Sequence, residues 1–207
     1  MNGILQTRSS VPLVLASGSA TRRKLLAAAG LSFEVIPPAV DETEVKASLR
    51  AASATASQAA ETLAELKAHA VSHRRPEALV IGADQLLECD REWFDKPVDR
   101  ADALAQLRRL SGQRHRLHTG VCLLRGSARL WHHNATVELT MRPLSEVFLQ
   151  AYLDAAGDRV LSSVGGYQLE GLGAQLFHRI DGDFFCVLGL PLLPLLETLR
   201  AQGVLPS

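Results

Sequence analysis

Val11-Pro-Leu-Val-Leu-Ala16 runs directly into Ser17-Gly-Ser-Ala-Thr-Arg22-Arg23-Lys24. The first stretch is continuously apolar, as expected of a strand buried on both faces. The second begins with small residues that suit a tight turn and then becomes basic. A helix is predicted from Arg22 to Ala29, with Gly30 placed to end it. Phe33-Glu-Val-Ile36 reads as a second strand, broken by Pro37-Pro38. Strand, small-residue loop, helix, strand is the opening of an α/β chain.

The rest of the chain extends that pattern. Ala47 to Ala60 is Ala/Ser-rich and reads as a helix lead-in. Ser57 to Val71 carries Ala60, Leu63, Ala64, Ala68 and Val71 at helical spacing. Ala78-Leu-Val-Ile81 is another buried strand, predicted to end in Gly82-Ala83-Asp84-Gln85. Asp99 is placed to cap a helix over Ala101 to Leu110, stopped by Ser111-Gly112. Arg114 to Leu124 and Leu130 to Met141 alternate enough to form a hairpin around Gly126. Ser145 caps a helix from Glu146 to Ala156. Gln175 to Ile180 and Phe184 to Leu188 read as two short strands about Asp181-Gly182-Asp183. A last helix starts near Pro191 and runs to about Gln202. Early alternation and later antiparallel pairs predict an α/β architecture around a mixed, twisted sheet, in a single domain over residues 1–207. Residues 1–10 are expected to be a flexible extension.

Bulk composition narrows the function classes. Lys+Arg and Asp+Glu are both 22, so broad electrostatic binding to nucleic acid or to an anionic membrane is disfavoured. A local cationic pocket for one small polyphosphate is still compatible with that balance. Cys89, Cys122 and Cys186 lie far apart with no C-x-x-C pair, and are expected to be reduced, buried thiols. No apolar stretch reaches membrane length, and the N-terminus lacks a signal-peptide pattern, which predicts a soluble cytoplasmic protein.

Four places could carry chemistry. The Ser17–Lys24 loop enters a helix, so backbone N–H groups and the helix dipole would converge on one spot. Ser17, Ser19 and Thr21 add hydroxyls, and Arg22 has the geometry to grip phosphate oxygens bidentately. Asp41-Glu42, at an expected strand end, supplies hard oxygen donors that suit Mg²⁺ or Mn²⁺. Asp84, directly after an apolar strand, sits where open α/β sheets place their sites. Gly165-Gly166-Tyr167-Gln168-Leu169-Glu170-Gly171-Leu-Gly173 brings backbone close to a ligand or another strand. Each has a bland reading too, as a polar turn, a surface pair, a turn cap or a packing contact. Walker A, G-x-G-x-x-G and G-x-S-x-G are all absent, and no histidines stand at zinc-site spacing.

Taken in order, the pieces resemble the Maf family of nucleotide pyrophosphatases. The family's L-A-S-x-S-P-x-R-R-x-L-L stands here as Leu15-Ala-Ser17-Gly-Ser19-Ala20-Thr21-Arg22-Arg23-Lys-Leu25-Leu26. The D-E pair is Asp41-Glu42, the helix lysine Lys67, the G-[AS]-D segment Gly82-Ala83-Asp84, and K-P is Lys96-Pro97. L-x-x-L-S-G is Leu107 to Gly112, and the closing stretches are Gly165 to Gly173 and Gly189 to Leu192. Ala20 replaces the usual proline, which implies a softer loop rather than a dead site.

The resemblance implies a Maf/ITPase-like mixed twisted sheet flanked by helices, in two lobes with the site in the cleft between them. It implies hydrolysis of a nucleoside triphosphate to monophosphate and pyrophosphate, house-cleaning of the nucleotide pool. Arg22, Lys67 and Lys96 would hold the triphosphate, and Ser17 and Ser19 would donate to its oxygens. Glu42 and Asp84 would hold a divalent metal (Mg²⁺ or Mn²⁺), and Asp84 would be the base that deprotonates water. Thr21, Gln85 and Glu170 occupy the base-selecting positions. Gln85 and Glu170 match the branch that resembles 7-methyl-GTP enzymes, whereas Thr21 matches neither branch. A purine or modified-guanine preference follows, because a glutamate accepts from the N1–H and N2–H groups of guanine. A homodimer is implied by family analogy alone. The alternatives are a nucleotide-binding regulator of cell division, or another phosphohydrolase such as a monophosphatase.

Overall fold

The computed structural model describes residues 11–206, and the expected N-terminal extension lies outside the described residues. Seven strands in one mixed sheet and seven α-helices make up the described chain, confirming the α/β class. In order they are β1 (Leu13–Ala16), α1 (Ala20–Ala28), β2 (Glu34–Val35), α2 (Glu42–Ala51) and α3 (Ala56–Ser72). There follow β3 (Leu79–Cys89), β4 (Glu92–Phe94), α4 (Arg100–Leu110), β5 (Arg114–Arg125) and β6 (Ala128–Met141). The chain closes with α5 (Glu146–Ala156), β7 (Phe177–Asp181), α6 (Phe184–Val187) and α7 (Leu192–Ala201). The sheet order is β2-β1-β3-β5-β6-β7, with β4 paired to β3. β2, β1 and the start of β3 are parallel, whereas β3–β4 and β6–β7 are antiparallel.

Contacts divide the chain into two compact units. The first holds the chain up to Gln85, Thr119–Ala135 and the segment from Gly189 onward. The second holds Leu86–His118 and Thr136–Leu188.

In the first unit, α3 lies directly on the sheet because small residues line both surfaces. A Cβ added at Gly82 of β3 would stand 2.2 Å from the Ala64 carbonyl oxygen, and one at Gly120 of β5 would stand 2.6 Å from that of Ala60. No side chain fits there, so glycine on the strands and alanine on the helix together set the approach. Val14, Ala16, Ala64, Ala68, Val71, Val80, Cys122 and Leu124 fill the space around this contact. Burial pushes the Cys122 thiol up to about 12, which leaves it a packing residue and no nucleophile. All four residues of β1 are buried, as the unbroken apolar run predicts.

Local signals explain the element ends. Thr55 and Gln58 form a capping box that starts α3, and Asp99 and Ser145 cap α4 and α5 as predicted. The helix α1 begins earlier than expected, at Ala20, because Ser19 is its cap and accepts from the Arg22 amide. Ala20 is therefore a first helical position, the place where proline fits without losing a hydrogen bond. Ser19 has φ −71° and ψ 118°, a conformation that already suits a residue before proline. Replacing Ala20 with proline is expected to stabilise the fold by about 0.5–1 kcal/mol through the unfolded state. A thermal melt checks this, and a lowered midpoint would contradict the assignment of the cap.

Four expectations are corrected. The Ala/Ser-rich region holds the helix α2 and a break at Ser53 (φ 55°) before α3, so it is more than a lead-in. Asp41-Glu42 does not end a strand: Asp41 caps α2, accepting from the Glu44 amide, and Glu42 opens the helix. β3 does not stop near Asp84 but continues to Cys89, since Leu86 and Leu87 remain fully buried and Leu87–Cys89 pair with β4. Phe184 to Leu188 is no strand but the short helix α6, because the Asp183 carboxylate caps the Cys186 amide.

In the second unit, α4 and α5 are tied by Arg108–Glu146 and Arg100–Asp154. The glycine-rich stretch is packed against its own unit. Gly165 (φ 74°) abuts Leu87, Leu110 and Tyr167, and a Cβ at Gly173 would stand 2.4 Å from the Gln168 carbonyl oxygen. Beneath it, His115 of β5 is buried with its Nε2 2.9 Å from the Tyr167 hydroxyl, flanked by Tyr167 and Phe177. Exclusion from water pushes the His115 pKa down to about 4. The unfolded chain binds this proton near pH 6.5 and the folded chain only near 4. Stability from His115 is thus complete above about 6.5 and is lost as pH falls through that window, by on the order of 3 kcal/mol. Urea midpoints are expected to drop between pH 7 and 4.5, and His115→Gln to flatten that slope. An unchanged slope in the variant would assign the drop to other groups.

Candidate active site

Parallel pairing positions the site. β1 pairs with β3 from Leu13↔Leu79 to Ala16↔Gly82 and ends there. The Ser17–Ser19 turn therefore leaves β1 beside Ala83 and Asp84, which no longer have β1 as a neighbour. Alternation on β3 puts Gly82 and Asp84 on the face toward α3, and Ala83 and Gln85 on the other. The close approach of α3 then brings Lys67, between Ala64 and Ala68, onto Asp84.

The result is a buried cation held by two carboxylates. Lys67 Nζ lies 2.5 Å from Asp84 Oδ1 and 2.6 Å from Glu42 Oε1. The side chains of Lys67 and Asp84 are 8% and 6% exposed, while that of Glu42 is 44% exposed. Asp84 Oδ2 is buried with no hydrogen-bond partner. A carboxylate oxygen so placed is costly unless something else satisfies it. Lys46, one turn after Glu42 on α2, is also buried.

Arg22 is buried above this cluster. Its Nε donates to the Gly189 carbonyl at 2.7 Å, and its Nη1 donates to the Ala83 carbonyl at 2.9 Å and to Ser17 Oγ at 3.2 Å. Burial pulls its pKa below the ordinary arginine value, and the Asp84 and Glu42 charges oppose that shift. Either bidentate grip on a phosphate uses Nε or Nη1, so it would require one of these bonds to open. Arg22 thus stands first as the pin of the turn. Gly189 (φ 87°) is a sequence-quoted motif residue whose task, a carbonyl aimed at Arg22, only the structure reveals. Ser17 Oγ accepts from both the Ser19 amide and Arg22, which leaves its own proton to donate. Ser19 Oγ is engaged as the α1 cap.

The structure therefore brings Ser17, Ser19, Arg22, Glu42, Lys67 and Asp84 together in the first unit. Thr21 lies half-buried in the first turn of α1. Gln85, on the opposite face of β3 from Asp84, donates from Nε2 to Thr119 Oγ1 at 2.9 Å. Thr119, buried on β5, was missed by sequence reading, because nothing in its neighbourhood marks it out. Lys96 and Glu170 are exposed residues of the second unit, in the segment after β4 and in a turn of the glycine-rich stretch.

A divalent metal was expected on Glu42 and Asp84. The buried, unpartnered Asp84 Oδ2 and the Glu42 carboxylate on the other side of Lys67 Nζ are hard oxygen donors that fit such an ion. No group of three or more candidate metal ligands occurs among the described residues.

Comparison with known proteins shows the family. The family model for Maf-like protein matches residues 12–202. The chain is 55% identical over 192 residues to a nucleoside triphosphate pyrophosphatase of Paramagnetospirillum magneticum, covering 93% of this chain and 99% of the relative. It is 53% identical over 198 residues to a nucleoside triphosphate pyrophosphatase of Nitrobacter winogradskyi, covering 96% and 97%. It is 51% identical over 193 residues to a 7-methyl-GTP pyrophosphatase of Rhizobium etli, covering 93% and 97%. By sequence order, fold and relatives, the chain belongs to the Maf family.

Proposed function

We propose that the protein hydrolyses a nucleoside triphosphate between the α and β phosphates, releasing nucleoside monophosphate and pyrophosphate. The observation that carries this reading is the buried Lys67 ammonium between Glu42 and Asp84, beside a turn held by Arg22. Relatives covering nearly the whole chain bear pyrophosphatase names, which supports the same reaction and leaves the regulator reading without support of its own. No helix of the described residues is long and apolar enough to cross a membrane. We place the enzyme in the cytoplasm, acting on the free nucleotide pool, as one Maf domain that pairs into a homodimer.

Each residue has a physical task in this reading. Ser17 and Ser19 donate to phosphate oxygens, and Lys67 and Lys96 supply positive charge where the leaving pyrophosphate gathers negative charge. Arg22 fixes the turn so that these donors are preorganised. Asp84 accepts the proton of the attacking water through a carboxylate that already has one unsatisfied oxygen. Glu42 and Asp84 would hold Mg²⁺ or Mn²⁺, which supplies charge neutralisation on the phosphates when bound. Thr21, Gln85 and Glu170 meet the base, with a guanine or modified-guanine preference.

Product analysis on purified protein tests this directly. UTP, dTTP, GTP and 7-methyl-GTP are offered with Mg²⁺ or Mn²⁺. Pyrophosphate plus monophosphate is expected, with the guanine nucleotides ahead. Free phosphate as first product would replace the reaction, and UTP or dTTP clearly ahead would overturn the base preference. Light scattering of the same sample reports the oligomeric state.

A further inference from the structure

We propose that the outer edge of β6, residues 128–136, pairs antiparallel with the same segment of a second copy of this chain, about a two-fold axis at His132. The inference gives a surface to the homodimer of the proposed reading and does not depend on the reaction.

The neighbours of β6 cover it unequally. β7 pairs with it only from Glu138↔Asp181 to Met141↔Phe177. Gly182, just after β7, packs on Val137, where a Cβ would stand 2.9 Å from Val137 Cγ2. On that side, residues 128–136 have no strand beside them among the described residues. Each of these residues is exposed or half-buried. At about 3.4 Å per residue the open edge is about 30 Å long, and every second residue turns its N–H and C=O outward. The other outlying strands are blunted. β2 pairs over two residues and β4 over three, while β7 carries His178, Arg179 and Asp181. From Leu130 to Thr136, β6 has none of these devices: no Asp, Glu, Lys, Arg, Gly or Pro occurs.

The partner this edge fits is its own copy. Antiparallel strands related by a two-fold axis meet in reverse order, so the segment must match itself reversed. Full overlap of residues 128–136 places the axis at His132 and sets Trp131 opposite the partner's His133. No like charges oppose each other in that register. Arg129, the one formal charge of the segment, lies opposite the partner's Ala135 and is held within its own chain by Glu61 and Glu65. Trp131 and His133 share one face of the strand and already stack, with ring centroids 5.9 Å apart and planes 3° from parallel. Two such stacks meet across the axis and give the contact an aromatic centre.

Light scattering and sedimentation equilibrium on the full chain test the pairing. Wild type is expected at twice the mass of one chain. Trp131→Lys removes one ring of each stack and sets two lysines diagonally across the axis. It is expected to raise the dimer Kd by about 10- to 100-fold. His132→Cys reads the register directly, and decides alone if Trp131→Lys does not fold. The two copies of residue 132 face each other at about 4.5–5.5 Å between Cα atoms, within disulfide reach. The His132 side chain is 47% exposed, so a cysteine there is accessible. Mild oxidation is expected to give a cross-linked dimer that thiol reverses, whereas wild type, whose Cys89, Cys122 and Cys186 are buried, gives none. Wild type wholly of single-chain mass would leave the edge to a different chain and overturn the self-pairing. So would a Trp131→Lys protein that dimerises as tightly as wild type, or a folded His132→Cys protein that does not cross-link. None of these readouts uses nucleotide, so failure of the pyrophosphatase reading leaves this proposal standing, and its own failure leaves that reading intact.

Discussion

Replacing Asp84 with asparagine is expected to lower kcat by about 10²–10⁴-fold while leaving nucleotide affinity within a few-fold of wild type. Asparagine keeps the shape of the side chain and an oxygen able to accept from Lys67, but it cannot take a proton from water. It removes a negative charge that opposes the phosphates and, with it, one of the two carboxylates that would hold the metal, so the two effects on binding offset each other. Pyrophosphate release in single turnover, beside calorimetric binding, separates the two quantities. A variant that still turns over at near wild-type rate would move the base elsewhere. A variant that neither binds nor turns over would make Asp84 a binding residue.

The second large effect is expected at Lys67. Lys67→Met keeps the apolar stem that packs between Ala64 and Ala68 and removes the ammonium. Asp84 is then left buried, with its Oδ1 partner gone and Oδ2 already unpartnered. Deleting one member of a buried pair costs about 3–5 kcal/mol, and the lower end applies here because Glu42 is half-exposed to water. For a chain of this size, a loss near 3 kcal/mol lowers the melting midpoint by about 6–12 °C. Catalysis should fall with it, since Lys67 also neutralises the leaving group. The double variant Lys67→Met with Asp84→Asn is the sharper check, because with no charge left stranded it should regain most of the lost stability. A double variant no more stable than Lys67→Met alone would show that the cost comes from packing rather than from the charge.

Much of this was legible in the residues. The apolar run Val11 to Ala16, the alanines at 60, 64 and 68, and the caps Asp99 and Ser145 each carry a local signal that survives in the fold. The misreadings have a common cause. A carboxylate after an apolar run normally faces water and so reads as a strand end, yet here Lys67 pairs with Oδ1 of Asp84 and β3 continues. The aromatic and branched residues of Phe184 to Leu188 favour a strand, yet the Asp183 cap starts a helix first. Asp41 and Glu42 read together as a pair of hard oxygen donors, but the Asp41 carboxylate caps α2. The partners of Arg22 were invisible for a different reason: two of its three acceptors are backbone carbonyls, at Ala83 and Gly189, and no side-chain pattern announces them.

The Arg22 bond to Gly189 spans 167 positions of the chain. On the ribosome, the turn that would receive phosphate is made early and its latch is made nearly last. Until residue 189 leaves the exit tunnel, the guanidinium lacks the carbonyl that orients it, and the nascent chain carries an unfinished site. Long-range closures of this kind slow folding and make it depend on the end of synthesis. A chain released before residue 189 would keep β1, α3 and the Lys67–Asp84 pair within its sequence and still lack the contact that sets Arg22 in place. The orientation of Arg22 is therefore completed only by the segment that carries Gly189, and a chain that stops before that residue is expected to lack the finished turn.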